Sequence, residues 1–398
     1  MLPPLASTRF KTRWTARKTL ANLQTTTRRR EVFRSKMPPK TKENVSSDDA
    51  TPKTGALDGP SKKKVKTTAN NEPLMQTEIE RLYSTNGAGA GSNFKAISWN
   101  IAGMRSFYEK NISSLEALIE TESPDVLILQ EHKLQEGNVA DFTAKLKNKF
   151  PQYVTVRFAV STAKKGYSGV VALCKATEKK AAGEKQQVSL DAMLGGAKSP
   201  AKSNRYAGPK LLSISEGLGS RGYTDEGRSL TLEYDNFYVV TAYVPNSGQD
   251  LKRLDYRIGN WEKDMRAHLA ELDAKKPVIY LGDLNVAHLD EDIWNVGAAH
   301  IKKSAGTTPQ ERKAFGVMLE ENNLHDAFRF LHKDVKGWFS YWSVRAGNRP
   351  YNKGLRLDYT LASKRMFDPT SDVSIADSFI LDKITGSDHA PVGITLTL

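Results

Sequence analysis

Two short runs, Val126-Leu127-Ile128-Leu129 and Val278-Ile279-Tyr280-Leu281, constrain this chain more than any other feature. Each is continuously apolar and too short for a typical helix, so each reads as a strand buried on both faces. The residues just beyond the runs are polar. Glu131 stands at the exit of the first, Asp283 and Asn285 at the exit of the second, and the stretch Phe94 to Trp99 delivers Asn100 in the same way. Strands that converge on one rim of a sheet would gather these groups, although they lie far apart in the chain.

Together with Ser387-Asp388-His389 near the C-terminus, the groups suit one metal-dependent phosphoryl-transfer site. A phosphodiester repels a hydroxide nucleophile, so its hydrolysis calls for a hard cation, a group to orient and deprotonate water, and donors for the charge of the transition state. Mg²⁺, or Mn²⁺ in its place, takes a few carboxylates and water, which Glu131 and Asp388 would supply. Asp283 is the candidate to position and activate the water. An imidazolium at His389 could stabilise the crowded phosphate if a carboxylate charges and fixes it, and Asp358 is the nominee for that carboxylate. Asn100, Asn246 and Asn285 add uncharged donors.

Taken singly, these residues have plainer readings. An Asp after a strand is usually a turn or cap residue, an Asn after Pro245 an ordinary turn residue, and a single His a structural one. Eight blocks in order change the balance: Ile97-Ser98-Trp99-Asn100-Ile101-Ala102-Gly103-Met104-Arg105, Leu129-Gln130-Glu131-His132-Lys133, Gly166-Tyr167-Ser168-Gly169-Val170, Tyr243-Val244-Pro245-Asn246-Ser247-Gly248, Gly282-Asp283-Leu284-Asn285-Val286-Ala287-His288, Thr308-Pro309-Gln310-Glu311-Arg312, Arg356-Leu357-Asp358-Tyr359 and Gly386-Ser387-Asp388-His389. Over residues 93–398 the chain resembles the exonuclease III family of apurinic/apyrimidinic endonucleases, within the endonuclease/exonuclease/phosphatase superfamily.

The resemblance implies an α/β fold of the DNase I-like kind, a four-layered sandwich of two mixed β-sheets packed face to face and flanked by helices. It implies that Glu131 binds the metal with Asp388 beside it, that Asp283 handles the nucleophilic water, and that His389 and Asp358 form a coupled pair. Asn285, Asn100, Asn246 and Tyr243 match positions around the scissile phosphate. Lys133, Tyr167 and Arg356 join Asn100 and Asn246 as expected phosphate or DNA contacts, and Tyr341, Trp342, Leu355 and Leu357 as the expected wall of a pocket for a flipped-out abasic sugar. Four positions depart from the family's pattern. Ala102 stands where an Asp or Asn is usual, Leu355 where many relatives carry Trp, and Gln249 and Arg345 where a relative wedges an arginine and a methionine into the duplex.

Helix signals agree with an α/β chain. Ser113 and Glu116 read as a capping box before Leu115, Leu118 and Ile119, and Thr308-Pro309-Gln310-Glu311 caps a helix carrying Phe315, Met318 and Leu319. Leu254, Ile258, Trp261, Met265 and Leu269 mark a third. Asp255 lies in that helix, so its Arg-Leu-Asp-Tyr context does not mark a second site and no internal repeat is implied.

The net charge of +14 suggests a polyanionic partner. Most of it lies outside the catalytic part: residues 1–36 hold ten Lys or Arg against the single acid Glu31. That arm is rich in Arg and Thr, lacks the apolar stretch of a secretory signal, and reads as a mitochondrial or plastid transit peptide, with a basic DNA-binding arm as the alternative. Residues 37–92 read as a disordered polar linker in which Pro60-Ser61-Lys62-Lys63-Lys64-Val65-Lys66 resembles a nuclear-import signal. Residues 175–210, rich in Lys, Ala, Gly and Ser, read as a disordered insertion. The single cysteine, Cys174, excludes an intramolecular disulfide and a cysteine zinc cluster, and no segment is long and apolar enough to span a membrane.

The expected activity is therefore a Mg²⁺-dependent endonuclease of base-excision repair. It would cut double-stranded DNA 5′ to an abasic site, leaving a 3′-hydroxyl and a 5′-deoxyribose phosphate, with 3′-phosphodiesterase or 3′-5′ exonuclease activity from the same chemistry. The expected enzyme is a monomer acting alongside other repair proteins in the mitochondrion or plastid, the nucleus, or both. The alternatives are another phosphodiesterase or phosphatase of the superfamily, or a catalytically impaired DNA-binding paralogue.

Overall fold

The computed structural model describes residues 72–82, 93–176 and 208–398. The arm at 1–36, the import-like lysine cluster and most of the 175–210 insertion lie outside the described residues.

Among the described residues, twelve strands form two six-stranded sheets. The first contains β1 (Asn93–Asn100), β2 (Val126–Gln130), β3 (Thr155–Ala159), β4 (Val170–Cys174), β11 (Ser374–Ile380) and β12 (Val392–Thr397), in the order β11-β12-β1-β2-β4-β3. The second contains β5 (Leu211–Glu216), β6 (Ser229–Tyr234), β7 (Tyr238–Tyr243), β8 (Val278–Asp283), β9 (Leu324–Asp326) and β10 (Asp358–Ser363), in the order β5-β6-β7-β8-β10-β9. Each sheet is mixed through one parallel pair, β1 with β2 and β7 with β8. Such pairs need a crossover, and helices provide it, at Met104–Lys110 and Ile112–Glu122 in the first case and over residues 254–273 in the second.

The two apolar runs are β2 and β8, buried along their whole length. Their alternation shows why no polar residue interrupts them. Val126 and Ile128 face the inter-sheet core with Phe94, Val170, Leu232, Val239, Ile279 and Leu281, while Leu127 and Leu129 pack on the other side against Phe107, Leu115 and Leu146 of the helices. On the far face of the second sheet, Val240, Val278 and Tyr280 meet Trp261, Met265, Phe315 and Met318. These are the four layers that the family resemblance implies: helix, sheet, sheet, helix.

The helix at Pro309–Glu321 has the expected capping box. Glu311 N–H donates to Thr308 Oγ1 (3.2 Å), and the Glu311 carboxylate accepts from Thr308 N–H (3.1 Å). The expected box at Ser113 is not formed, because that helix starts at Ile112 behind Asn111, which makes no side-chain cap bond. Asn111 instead donates its amide to the Gly386 carbonyl, 3.0 Å away. The helix over 254–273 contains a π-helical stretch at Arg257–Glu262, and Asp255 lies exposed on it as expected.

The linker expected through residue 92 needs correction. Residues 72–82 lie along the catalytic fold, with Arg81 ion-paired to Glu122 (2.9 Å) and Asp377 (2.7 Å) and its guanidinium 3.4 Å above the Phe379 ring. An extended segment with charge-assisted bonds and a stacking partner at its end is part of the folded unit.

Candidate active site

Register alone assembles most of the site. In the second sheet Tyr243 lies opposite Asp283, and Asp283 opposite Asp358, so β7, β8 and β10 bring three polar side chains to one rim. In the first sheet Asn100 lies opposite Gln130, which places Glu131 just past the same rim. One side chain joins the two halves: Asn100 Nδ2 donates to Glu131 Oε1 (3.0 Å) and to Asp283 Oδ2 (2.9 Å).

Backbone conformation at the exits is unusual. Ala102, Glu131, Lys133 and Asn285 all have positive φ, between 51° and 55°. For residues with a Cβ this region is disfavoured, and it collects where a site holds its groups against local preference. Gly282, inside β8 next to Asp283, allows the close approach of β7, since a Cβ there would stand 2.1 Å from the Ala242 carbonyl oxygen.

Asp283 is enclosed. Its Oδ1 accepts from the Asn285 N–H (3.0 Å) and its Oδ2 from Asn100. Burial pushes its pKa up to about 7 against the opposing pull of the His389 charge and the Asn100 hydrogen bond. His389 donates from Nδ1 to Asp358 Oδ2 at 2.7 Å. Burial by itself would discharge the imidazole, but the Asp358 and Asp283 carboxylates overcome it and hold the pKa up at about 10. Ser340 supports the pair by donating its hydroxyl to the same Asp358 oxygen (2.8 Å) while accepting from the Leu357 and Asp358 N–H groups. Asp283 Oδ2 and His389 Nε2 are 3.8 Å apart, too far for a direct hydrogen bond, so a base and a cationic donor border one small space without neutralising each other by contact.

Glu131 is the most accessible carboxylate of the strand exits. Lys133 pairs with its Oε2 at 2.7 Å. Burial would raise its pKa, but the Lys133 charge and hydrogen bonds from Asn100, Lys133 and Tyr243 keep it below the usual range. Asp388 is half-buried beside His389, accepting from Ser387 Oγ at 3.2 Å. Lys133 also donates to the Ala102 carbonyl (3.2 Å).

Other candidates separate into those the fold brings together and those it does not. Asn246 donates to Asn285 Oδ1 (2.8 Å), and Asn285 Nδ2 to the Val244 carbonyl (3.0 Å). Tyr167 lies in a cationic cluster, its hydroxyl accepting from Arg228 (2.6 Å) and Arg253 (2.7 Å). Both arginines are ion-paired to Glu226. Gln249 and Arg345 are exposed. Tyr341, Leu355 and Leu357 pack together with Ile293 and Ile301, and the Tyr341 ring lies 5.0 Å from that of His389.

Two expected assignments are corrected. Trp342 turns away from that group into a cluster with Phe328, Val335 and Phe339, because neighbouring residues on an extended segment point to opposite sides. Arg356 does not face solvent. It is 1% exposed, held by Asp292 through two bonds (2.8 and 3.1 Å) and by Asp326 (2.6 Å), and is a buried structural ion pair rather than a DNA contact.

A cation fits this donor set. Asp283, Asp358 and His389 each present one ligand atom within 4.8 Å of the others, but the Nδ1 bond commits Asp358 and His389 to each other. The more open carboxylates, Glu131 and Asp388, with the Asn100 amide, offer the hard oxygens that suit a small divalent ion. Ser340, Glu226, Arg228 and Arg253, which hold or surround site groups, carry no sequence signal. Nothing local distinguishes them from ordinary surface residues.

Comparison with known proteins agrees with this geometry. Residues 97–389 match the model of the endonuclease/exonuclease/phosphatase family. The chain is 35% identical over 308 residues to the DNA-(apurinic or apyrimidinic site) endonuclease of Dictyostelium discoideum, covering 77% of this chain and 72% of that protein. It is 35% identical over 367 residues to the DNA repair nuclease APEX1 of Danio rerio, covering 91% and 100%. The crystal structure of the AP endonuclease LMAP from Leishmania major superposes with a TM-score of 0.63 at 29% identity, covering 82% of this chain and 92% of that one. The chain therefore belongs to the endonuclease/exonuclease/phosphatase family, in its exonuclease III-like branch of apurinic/apyrimidinic endonucleases.

Proposed function

We propose that this protein is the abasic-site endonuclease of a base-excision-repair pathway, hydrolysing the phosphodiester 5′ to the lesion to leave a 3′-hydroxyl and a 5′-deoxyribose phosphate. The observation that carries the reading is the pairing of a buried carboxylate, Asp283, with the Asp358-charged His389 across 3.8 Å. Asp283, held by Asn285 N–H and Asn100 Nδ2, accepts the proton of a water aligned with the phosphorus. His389, kept protonated by Asp358, directs Nε2–H at a non-bridging phosphate oxygen, where charge accumulates in the transition state. The second amide protons of Asn246 and Asn285 add neutral donors around the same group. Tyr243 hydrogen-bonds Glu131 and so orients it.

Glu131 and Asp388 would hold the metal ion, which we take to be Mg²⁺, with Mn²⁺ as a substitute. When bound, it supplies charge neutralisation at the phosphate and leaving oxygen. The sugar of the abasic nucleotide is assigned to the apolar surface of Tyr341, Leu355 and Leu357, with double-stranded DNA as the partner. The exposed polar Gln249 and Arg345 would meet the duplex, and the same phosphate chemistry extends to blocked 3′ ends. The N-terminal composition supports an organellar or nuclear destination.

The test is incubation of the full chain with a duplex containing one tetrahydrofuran site, with and without Mg²⁺. A single Mg²⁺-dependent cut immediately 5′ to the tetrahydrofuran, absent from undamaged duplex, is the expected result. Release of inorganic phosphate from small phosphate esters, with no incision, would assign the chain to the phosphatase side of its family.

A further inference from the structure

Residues 74–81 approach the site from outside without touching it. The Leu74 N–H donates to the Tyr351 carbonyl at 3.0 Å, and the Thr77 N–H to the Lys336 carbonyl at 3.0 Å. In return, Lys336 N–H donates to Thr77 Oγ1 (3.0 Å) and the Trp338 indole to the Thr77 carbonyl (2.7 Å). The approach is close enough that a Cβ on Gly337 would stand 2.3 Å from the Met75 carbonyl oxygen. Arg81 fastens the far end to Glu122 and Asp377, and Ile79 packs on the cluster of Phe328 and Trp342.

Tyr351 closes a short turn, Arg349–Tyr351, and that turn holds the catalytic loop. The Arg349 guanidinium donates to three carbonyls of one segment: Asp382 (2.9 Å), Ile384 (2.6 Å) and Ser387 (2.8 Å). It also lies 4.6 Å from the ring of Trp342, whose backbone N–H donates to the Asp388 carbonyl at 2.9 Å. Asp388 and His389 come directly after the third of those carbonyls. A planar guanidinium bound at three points fixes backbone more tightly than a flexible ammonium can.

We infer that residues 74–81 are a positioning strap for the reaction, bracing the Arg349–Tyr351 turn so that Arg349 holds the Asp382–Ser387 backbone and thereby sets Asp388 and His389. Arg349 is a positioning residue, since it reaches the site groups only through the main chain. The inference rests on the proposed endonuclease reading for its rate measurement alone. Because the strap bonds to Lys336, Trp338 and Tyr351 and to none of the residues assigned to DNA, its loss acts on the chemical step and leaves duplex binding intact.

The test uses the full chain as wild type, Arg349→Ala, Arg349→Lys, a strap variant combining Leu74→Pro with Trp338→Phe, and the strap variant joined to Arg349→Ala. The Leu74 change removes the donor to Tyr351 and the Trp338 change the donor to Thr77. Single-turnover incision of the tetrahydrofuran duplex is read beside duplex affinity, thermal midpoint and amide hydrogen exchange of the 382–389 peptide. Arg349→Ala is expected to slow incision by about 10- to 100-fold with affinity unchanged, and Arg349→Lys to recover only part of the loss. The strap variant is expected to slow incision severalfold and to quicken exchange in 382–389. Joined to Arg349→Ala it adds nothing, because both act through one contact. If the strap variant does not fold, Trp338→Phe alone carries the same expectations at smaller size.

Wild-type rate and exchange in the strap variant would overturn the inference, as would fully multiplicative effects or affinity lost in step with rate. The exchange arm needs no activity, so an inert wild type condemns the functional reading and leaves the strap to be judged by exchange.

Discussion

Replacing Asp358 by Asn isolates the charge that holds His389 protonated. The side chain keeps its shape and an oxygen for Nδ1, and its new N–H₂ takes the place of Oδ1, which has no hydrogen-bond partner. In the native protein the imidazole is raised from 6.5 to about 10 although burial opposes it. At 1.36 kcal/mol per unit, that preference for the charged ring is on the order of 5 kcal/mol. Asp358 is the largest contributor on the raising side, so its loss leaves burial opposed mainly by Asp283, and the ring gives up its proton at a lower pH than in the native protein. Losing a charged donor at the transition-state oxygen slows incision by about 10²–10³-fold. The pH profile carries the sharper test. With Asp283 near 7 and His389 near 10, native incision rises to pH 7 and stays level to pH 9. In the variant the upper limb moves down, so the rate falls within the pH range over which native incision stays level. Single-turnover rates at saturating enzyme from pH 6 to 9, with the His389 ring signals followed by NMR, measure both parts. A variant whose profile stays level to pH 9, or whose rate is within threefold of native, would refute the assignment of His389 as an Asp358-charged donor.

Asp283→Asn is expected to lower single-turnover incision by about 10²–10⁴-fold with duplex affinity retained, because it removes the proton acceptor and little contact surface; a parallel loss of binding would contradict this. Arg356→Ala leaves Asp326 without its cation in the interior and Asp292 with Arg329 alone (2.6 Å), and is expected to cost about 3 kcal/mol of stability, read by denaturant unfolding, while duplex affinity in the folded protein stays native. Burial would raise the pKa of Asp292, but Arg356 and Arg329 depress it from 3.8 to about 2, so its contribution is complete above 3.8 and is lost as pH falls toward 2; Asp292→Asn should flatten that part of the acid unfolding curve. Ala102→Asp should lower the Mg²⁺ concentration for half-maximal incision and raise Mn²⁺ affinity measured by electron paramagnetic resonance. The Ala102 side chain is exposed at φ 52°, a conformation Asp tolerates better than Ala, and an unchanged requirement would mean that Ala102 is no deficit.

The polar exits of β2 and β8 are legible in the sequence because burial on both strand faces leaves only the ends free to carry chemistry. Thr308 is legible as a cap because its partner is three residues away. The corrected assignments share a cause in long-range pairing. Arg356 looks like a cation for DNA until the fold places Asp292 and Asp326, 64 and 30 residues distant in sequence, against it. Asn111, not Ser113, begins its helix, and its amide is committed to Gly386, 275 residues away. Tyr341 and Trp342, adjacent in sequence, suggest one wall, whereas consecutive residues of an extended segment diverge. Residues 72–82 have the composition of a linker, and long-range contacts, those of Arg81 with Glu122 and Asp377 and those of Thr77 with Lys336 and Trp338, make them part of the fold. Ser340, which steadies Asp358, has no pattern of its own to be read.

The pairing of β12 with β1 bears on how such an enzyme is made. Asn93 to Ser98 are in antiparallel register with Val392 to Thr397, and the Trp99 indole donates to the His389 carbonyl. Of the described strands, the first to emerge from the ribosome thus has the last as one neighbour, and Asn100 waits for Asp283 before its amide has both partners. Contacts of such sequence separation form late, after the whole chain is available. A chain terminated before Ser387 therefore carries Glu131 and Asp283 but neither Asp388 nor His389, and its β1 has no β12 to pair with.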